Sequence, residues 1–285
     1  MTSAKPAPPV APPSVVRSTA EATAPKKSPK WRNRERVLVF SSRGISHRDR
    51  HLMEDLKRMM PHSKSETKMD RKDKLFVINE VCEIKNCSKC IFFESKKKMD
   101  LYVWLANSPN GPSAKFLVEN VHTMMELKMT GNSLRGSRPF LAFDRSFDSE
   151  PQWEVLKELL TQIFSTPNHH PKSQPFFDHV ITFAIVDGRI WFRNYQILEE
   201  NGELAEIGPR MVLNPIKVFQ GSFGGATLYD NPNFTTPNEL RRLDKMKKGT
   251  KYQEKISQKQ ALQVRREMHN KPYPIRDTDS VFDTN

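Results

Sequence analysis

An α/β fold built from two similar half-domains is what this 285-residue sequence predicts, on three observations. Short apolar runs of β-type residues alternate with segments of helical periodicity. The order strand, helix, strands occurs in the first half of the chain and again in the second. A Gly-Pro turn signal opens a late β-prone run each time, as "GPSAKFLVENV" from Gly111 and "GPRMVLNPIKVFQ" from Gly208.

The elements follow in order. Val37, Leu38, Val39 and Phe40 form a buried strand. "SHRDRHLMEDLKRMMP" is a helix, capped by Ser46, striped by Leu52, Leu56, Met59 and Met60, and stopped by Pro61. "LFVINEV", "CIFFES" and "LYVWLANSPNGP" read as further strands. "KFLVENVHTMMEL" is ambiguous, reading as a strand at its start and a helical turn at its end. The pattern restarts with the strand "PFLAFD" and the helix "PQWEVLKELLTQIFSTP", striped by Val155, Leu156, Leu159, Leu160, Ile163 and Phe164. "DHVITFAIVDGRIWFRNYQIL" is a hairpin turning at Asp187-Gly188. In the last run, Met211 and Leu213 share one parity and Ile216 and Val218 the other, so the phase slips at Asn214-Pro215 as at a bulge. Phe40 and Phe143 take matching places at the ends of the two opening strands.

Residues 1–33 form a Pro-rich, then basic arm that cannot bury enough to become ordered. Residues 34–231 form the folded domain, with halves at about 34–131 and 138–225. Residues 232–285 are a basic tail, partly helical or disordered, whose helix needs a partner or RNA for support. No run of about 18 apolar residues is present to cross a membrane, and the N-terminus has no apolar secretory core.

Net charge is +13, which points to a polyanionic partner, nucleic acid before a membrane surface. The loop "HSKSETKMDRKDK" holds Lys64, Lys68, Arg71 and Lys72 close enough to Arg43 to clamp phosphates. "GNSLRGSRP" has the glycine spacing of a phosphate loop. It lacks the lysine and the following helix, so it reads as a linker whose Arg135 and Arg138 can touch RNA. Arg210 sits at a strand mouth beside a tight turn, with Lys217 further along. Cys82, Cys87 and Cys90 offer only one close pair, too few for a structural zinc site, and read as buried thiols of a reducing compartment. His169, His170, Asp178 and His179 occupy a polar loop. No catalytic or cofactor fingerprint is present, so neither an enzyme nor a cofactor is expected.

The stretches "LVFSSRGISHRDRHLMEDLKRMMPHSKSETKMDRK", "NCSKCIFFE", "LANSPNGPSAKFLVEN" and "EIGPRMVLNPIKVFQGSFGG" resemble the Brix-domain family over about residues 34–231. The last stretch is similar to that family's sigma-70-like motif, with Pro215 where an aliphatic residue is expected. The resemblance implies halves like the anticodon-binding domain of class IIa aminoacyl-tRNA synthetases. It implies a nuclear, nucleolar protein that binds precursor ribosomal RNA and assembles the large (60S) subunit. Pre-60S assembly factors, among them the homologue of the Epstein–Barr nuclear-antigen-binding protein, and ribosomal proteins are the implied partners, with Arg210 and Lys217 as RNA contacts. The competing expectation is a protein scaffold that never touches RNA.

Overall fold

A computed structural model describes residues 35–70, 73–127, 131–198 and 202–270. The first half comprises β1 (Val37–Ser41), α1 (His47–Met59), β2 (Ser63–Ser65), α2 (Val77–Ile84), β3 (Lys89–Lys96), β4 (Asp100–Asn107), β5 (Ser113–His122) and the short α3 (Met124–Leu127). The second comprises β6 (Arg138–Phe143), a 3-10 turn, α4 (Pro151–Phe164), β7 (Phe177–Val186), β8 (Arg189–Ile197), β9 (Leu204–Glu206) and β10 (Arg210–Phe219). β11 (Thr227–Asp230) and α5 (Pro237–His269) follow. The expected arm at 1–33 and the end of the tail lie outside the described residues.

All strands join one sheet in the order β2-β1-β3-β4-β5-β10-β8-β7-β6, with β9 on β8 and β11 on β10. β1 runs parallel to both β2 and β3, β6 runs parallel to β7, and the other neighbours along the main path are antiparallel. A parallel pair followed by antiparallel strands thus lies on each side of the sheet's centre. The halves meet where β5 pairs with β10, from Arg210 opposite His122 to Phe219 opposite Ser113. The two Gly-Pro bonds, both cis, begin these two strands.

Local chemistry explains the helices. Ser46 Oγ accepts the Asp49 N–H at 3.2 Å and caps α1. Pro151 opens α4, where its missing N–H costs nothing. "LFVINEV" is not a strand: most of it folds into α2. Ile78 and Cys82, one turn apart, supply the buried face of that helix. A short apolar run does not separate a strand from a helix by periodicity alone, and here the i, i+4 face decided. The phase slip in β10 falls one residue later than expected. Pro215 still pairs with Phe116, Lys217 with Lys115, and Ile216 is the extra residue, turned to the opposite face from Leu213 and Val218.

One apolar cluster lies under α1 and α4 and draws on both halves. It includes Val39, Leu52, Leu56, Phe116, Leu156, Leu160, Phe183 and Phe192. α4 reaches over β3 and β4 of the first half as well as β6. The halves thus share a core. Phe40 and Phe143 are not equivalent. Phe40 faces the other side of the sheet against Phe92, in the cluster under α2, while Phe143 stacks on Phe183 at 4.9 Å at the margin of the shared core. Phe183→Ala and Phe40→Ala should each cost about 3–5 kcal/mol in denaturant unfolding, and Phe143→Ala less, because its ring is only partly buried. Equal losses for Phe143 and Phe183 would contradict this packing.

His62 locks the halves together. Its buried Nε2–H donates to the Ile163 carbonyl at the end of α4, 3.0 Å away, and its ring lies 6.2 Å from that of His170. Burial, more than the opposing help of that hydrogen bond, pushes its pKa down to about 4. The folded state holds His62 neutral, whereas the unfolded chain protonates it near its ordinary value. Stability from this group is complete above about pH 6.5 and declines as pH falls toward 4, by about 3 kcal/mol in all. Urea unfolding from pH 7 to pH 4 should show this decline, and His62→Gln should reduce it.

Candidate nucleic-acid interface

The basic residues divide among separate places. Ser42 bridges Met69 beyond the end of β1, and the Arg43 N–H donates to Met69 O at 2.8 Å. This sets exposed Lys68 beside Arg43, whose guanidinium pairs with Asp70 at 2.9 Å. β3 ends parallel to β1 at the same edge, so Lys96, Lys97 and Lys98, all exposed, join them. These three lysines were missed in the sequence, although "SKKKMD" between two strand runs was their signal. Lys64 lies further down β2, its Nζ donating to Lys85 O at 2.8 Å. Arg71 and Lys72 lie outside the described residues.

The turn carrying Lys97 and Lys98 is unusual in composition. Met99 N–H closes it on Lys96 O at 3.1 Å. Both central lysines are left-handed, with φ of 52° and 57°. Such turns favour Asn-Gly, since a side chain there crowds the backbone. Two charges thus occupy positions where local stability prefers none. Beside this turn, Arg241 at the start of α5 pairs with Asp100 of β4.

α5 extends this edge. Thr236 caps it, accepting the Glu239 N–H at 3.3 Å, and Pro237 is its first residue. None of its residues is buried, and ten Lys or Arg face four Asp or Glu along it. A helix without a buried stripe has no packing support of its own.

The other predicted contacts lie elsewhere. Arg138 hydrogen-bonds Asn168 and lies 5.1 Å over the Phe177 ring. Arg135 and Arg58 line a cavity of about 170 Å³ with His179. The 131–136 loop is no phosphate cradle. The N–H groups of Asn132, Ser133 and Leu134 are already taken by Gln196, Asn132 and Asp178 side chains, and the strand β6 follows. Gly131 allows this loop to press against β9, where a Cβ would fall 2.9 Å from the carbonyls of Ala205 and Glu206. Arg210 does not reach out freely: its guanidinium grips the Glu206 carboxylate by two hydrogen bonds, and these hold Glu206 below the usual carboxylate pKa. Lys217 pairs with Asp230 at 2.9 Å, about 23 Å along β10 from Arg210 at ordinary strand rise. Lys57 is half-buried, and its pKa is lowered by that burial.

Cys82, Cys87 and Cys90 line the apolar cluster of α2 with Leu38, Phe40 and Phe92. Burial raises Cys90 well above an ordinary thiol. Asp178 and His179 point to different duties, the former on Leu134 N–H and the latter on Ser137.

The sheet carries a basic edge and a bare basic helix. The chain belongs to the Brix family: residues 42–217 match the Brix domain. It is 64% identical over 255 residues to the Homo sapiens ribosome biogenesis protein BRX1 homolog, covering 90% of this chain and 72% of that protein. The Xenopus laevis homolog is 62% identical over 260 residues, covering 91% and 77%. The Drosophila melanogaster homolog is 52% identical over 276 residues, covering 95% and 76%. Among solved structures, a probable ribosomal biogenesis protein from Aeropyrum pernix K1 aligns with a TM-score of 0.45 at 17% identity, over 63% of this chain and 96% of that one. An archaeal Imp4-like protein aligns with a TM-score of 0.37 at 12% identity, over 65% and 99%.

Replacing Lys97 by Asn and Lys98 by Gly together should raise folding stability by about 1 kcal/mol, by relieving the left-handed side chains. The same variant should flatten the log–log salt dependence of binding to single-stranded RNA by about 1.4. Both are read from chemical unfolding and salt-titrated anisotropy. An unchanged slope would remove this turn from the interface.

Proposed function

We propose that this chain is a non-catalytic assembly factor of the large (60S) ribosomal subunit that binds precursor ribosomal RNA in the nucleolus. The observation carrying this reading is the basic edge: exposed Lys68, Lys97 and Lys98, with Lys96 shared with Glu94 at 3.7 Å, and beside them, held at Asp100 by Arg241, a 33-residue helix with no buried side chain. Each phosphate neutralised there releases counterions, which drives binding without regard to sequence. The family membership and the relatives' names support the ribosomal setting. Each half is read as a unit like the anticodon-binding domain of class IIa synthetases. The homologue of the Epstein–Barr nuclear-antigen-binding protein is the proposed protein partner, and Arg43, Lys64, Arg71, Lys72, Arg135, Arg138, Arg210 and Lys217 are secondary candidates for RNA contact.

A protein scaffold is the second reading, favoured by Leu240, Leu243, Met246 and Tyr252, all exposed on α5. In-cell crosslinking with sequencing separates the two. Reads concentrated in large-subunit precursor RNA, and weakened by Ala at Lys97, Lys98, Lys247 and Lys248, are expected. Absence of RNA crosslinks from a chain that still enters precursor particles would establish the scaffold instead.

A further inference from the structure

The second half of the sheet has a bare face. Ile190 and Phe192 of β8, and Ile181 and Phe183 of β7, point into the shared core. Side chains alternate along strands, so Trp191, Arg193 and Tyr195 point the other way, as do Val180, Thr182 and Ala184. Phe140 of β6 joins them, opposite Val180, which is opposite Tyr195. In the first half this face is covered by α2 and its cluster. Among the described residues, no apolar cluster includes Trp191, Tyr195, Val180 or Phe140.

Phe140 is 56% exposed and Phe177 53%, and the two rings meet edge to face at 6.4 Å. Trp191 and Tyr195 are half-buried at the flanks, around the small side chains Ala142, Thr182 and Ala184. Arginines interleave with the rings: Arg138 lies over Phe177 at 5.1 Å and Arg193 over Trp191 at 5.6 Å. Of the arginines here, Arg189 is paired with Glu119 at 3.1 Å and Arg210 with Glu206. Arg138 and Arg193 have no carboxylate within salt-bridge distance among the described residues; Glu206, opposite Tyr195 and held by Arg210, is the acidic neighbour whose pKa Arg193 helps to lower.

We propose that this face is a stacking platform for single-stranded RNA, separate from the lysine edge, with Trp191 and Tyr195 as the base-stacking residues and Arg138 and Arg193 as planar cations beside them. The proposal rests on the RNA-binding reading and adds a second site to it. Unpaired bases stack on aromatic rings and guanidinium planes, whereas an A-form duplex keeps its bases stacked inside. An apolar protein segment would cover two guanidinium groups, neither in a salt bridge, without bringing a carboxylate of its own, which is costly. A polyanion carrying π-faces meets both the rings and the charge.

The test uses the full chain, a fluorescent uridine-rich single strand and a duplex of equal length. Trp191→Ala with Tyr195→Ala should weaken single-strand binding about fivefold to 150-fold per stacked base lost, leaving duplex binding and the salt slope as in wild type. Trp191→Phe should restore most of the affinity that Trp191→Ala loses. Lys97→Ala with Lys98→Ala should instead flatten the salt slope. Because Trp191 also packs on its neighbours, ultraviolet crosslinking of unmodified protein to the same strand provides a second measurement, with crosslinked peptides expected over residues 189–196. Wild-type affinity in the Trp191/Tyr195 variant, while the lysine variant is weakened, would overturn the platform and leave the RNA reading intact. Crosslinks confined to the lysine edge and α5 would overturn it in the same way. Wild type failing to bind either RNA would end both.

Discussion

The pairing of β5 with β10 is the constraint on which the rest of the molecule depends. On the face beneath α1 and α4, neither half closes a core of its own. α4 crosses onto β3 and β4, and a single apolar cluster runs beneath both long helices. The two central strands hold those surfaces in register. Each begins at a Gly-Pro, and since they run antiparallel, the two turns lie at opposite ends of the seam. At the first of them there is no space for a side chain: a Cβ on Gly111, at a φ of +89°, would fall 2.2 Å from the Gln220 carbonyl oxygen. The residues just past β10 therefore close against the residues just before β5, and the chain returns to its own seam. His62 makes a second tie on the helical face, where its bond to Ile163 joins the end of one helix region to the end of the other.

The repeat is broken on the opposite face, and that break shapes what the protein can contact. Between β2 and β3 the first half inserts α2, which covers the sheet with Ile78 and Cys82. β3 and β4 are accordingly buried on both sides, with near-continuous apolar sequence. In the second half no helix separates α4 from β7. β8 alternates in exposure along its length, as a strand with one open side does. One duplicated architecture thus yields a fully wrapped half and a half with a face to offer.

Much of this was legible in the amino-acid order. The recurrence, the two long helices, the Asp187-Gly188 hairpin and the difference between "IFFES" and "RIWFRNYQ" are all local patterns with physical causes. What was not legible depends on tertiary choice. α2 hides in a short apolar run that suits either element. Phe40 and Phe143 occupy matching places in the chain yet opposite faces, because a one-residue shift in strand phase exchanges the faces. The interface was less legible still, since charge in a sequence does not reveal its partner. Arg210 stands in the most motif-like stretch, but only the fold shows Glu206 brought up against it by β9. The left-handed backbone of Lys97 and Lys98 has no signal in their own residue types.

That contrast bears on how RNA would be held in the proposed function. A guanidinium already bound by two hydrogen bonds to a carboxylate must lose both, and leave Glu206 uncompensated, before it can grip a phosphate. An exposed lysine at a hairpin tip gives up only water. Screening by salt acts on the lysines and hardly on the paired arginine. Under the proposed reading, long-range attraction would fall to the exposed lysine edge and α5, while Arg210 keeps β9 against the mouth of β10. Stacking on the open face, as proposed, would not depend on long-range charge and would act only once the strand had arrived. An edge that attracts any phosphate chain, joined to a face that retains only unpaired bases, would admit many RNAs and keep the irregular single strands of an unfinished particle.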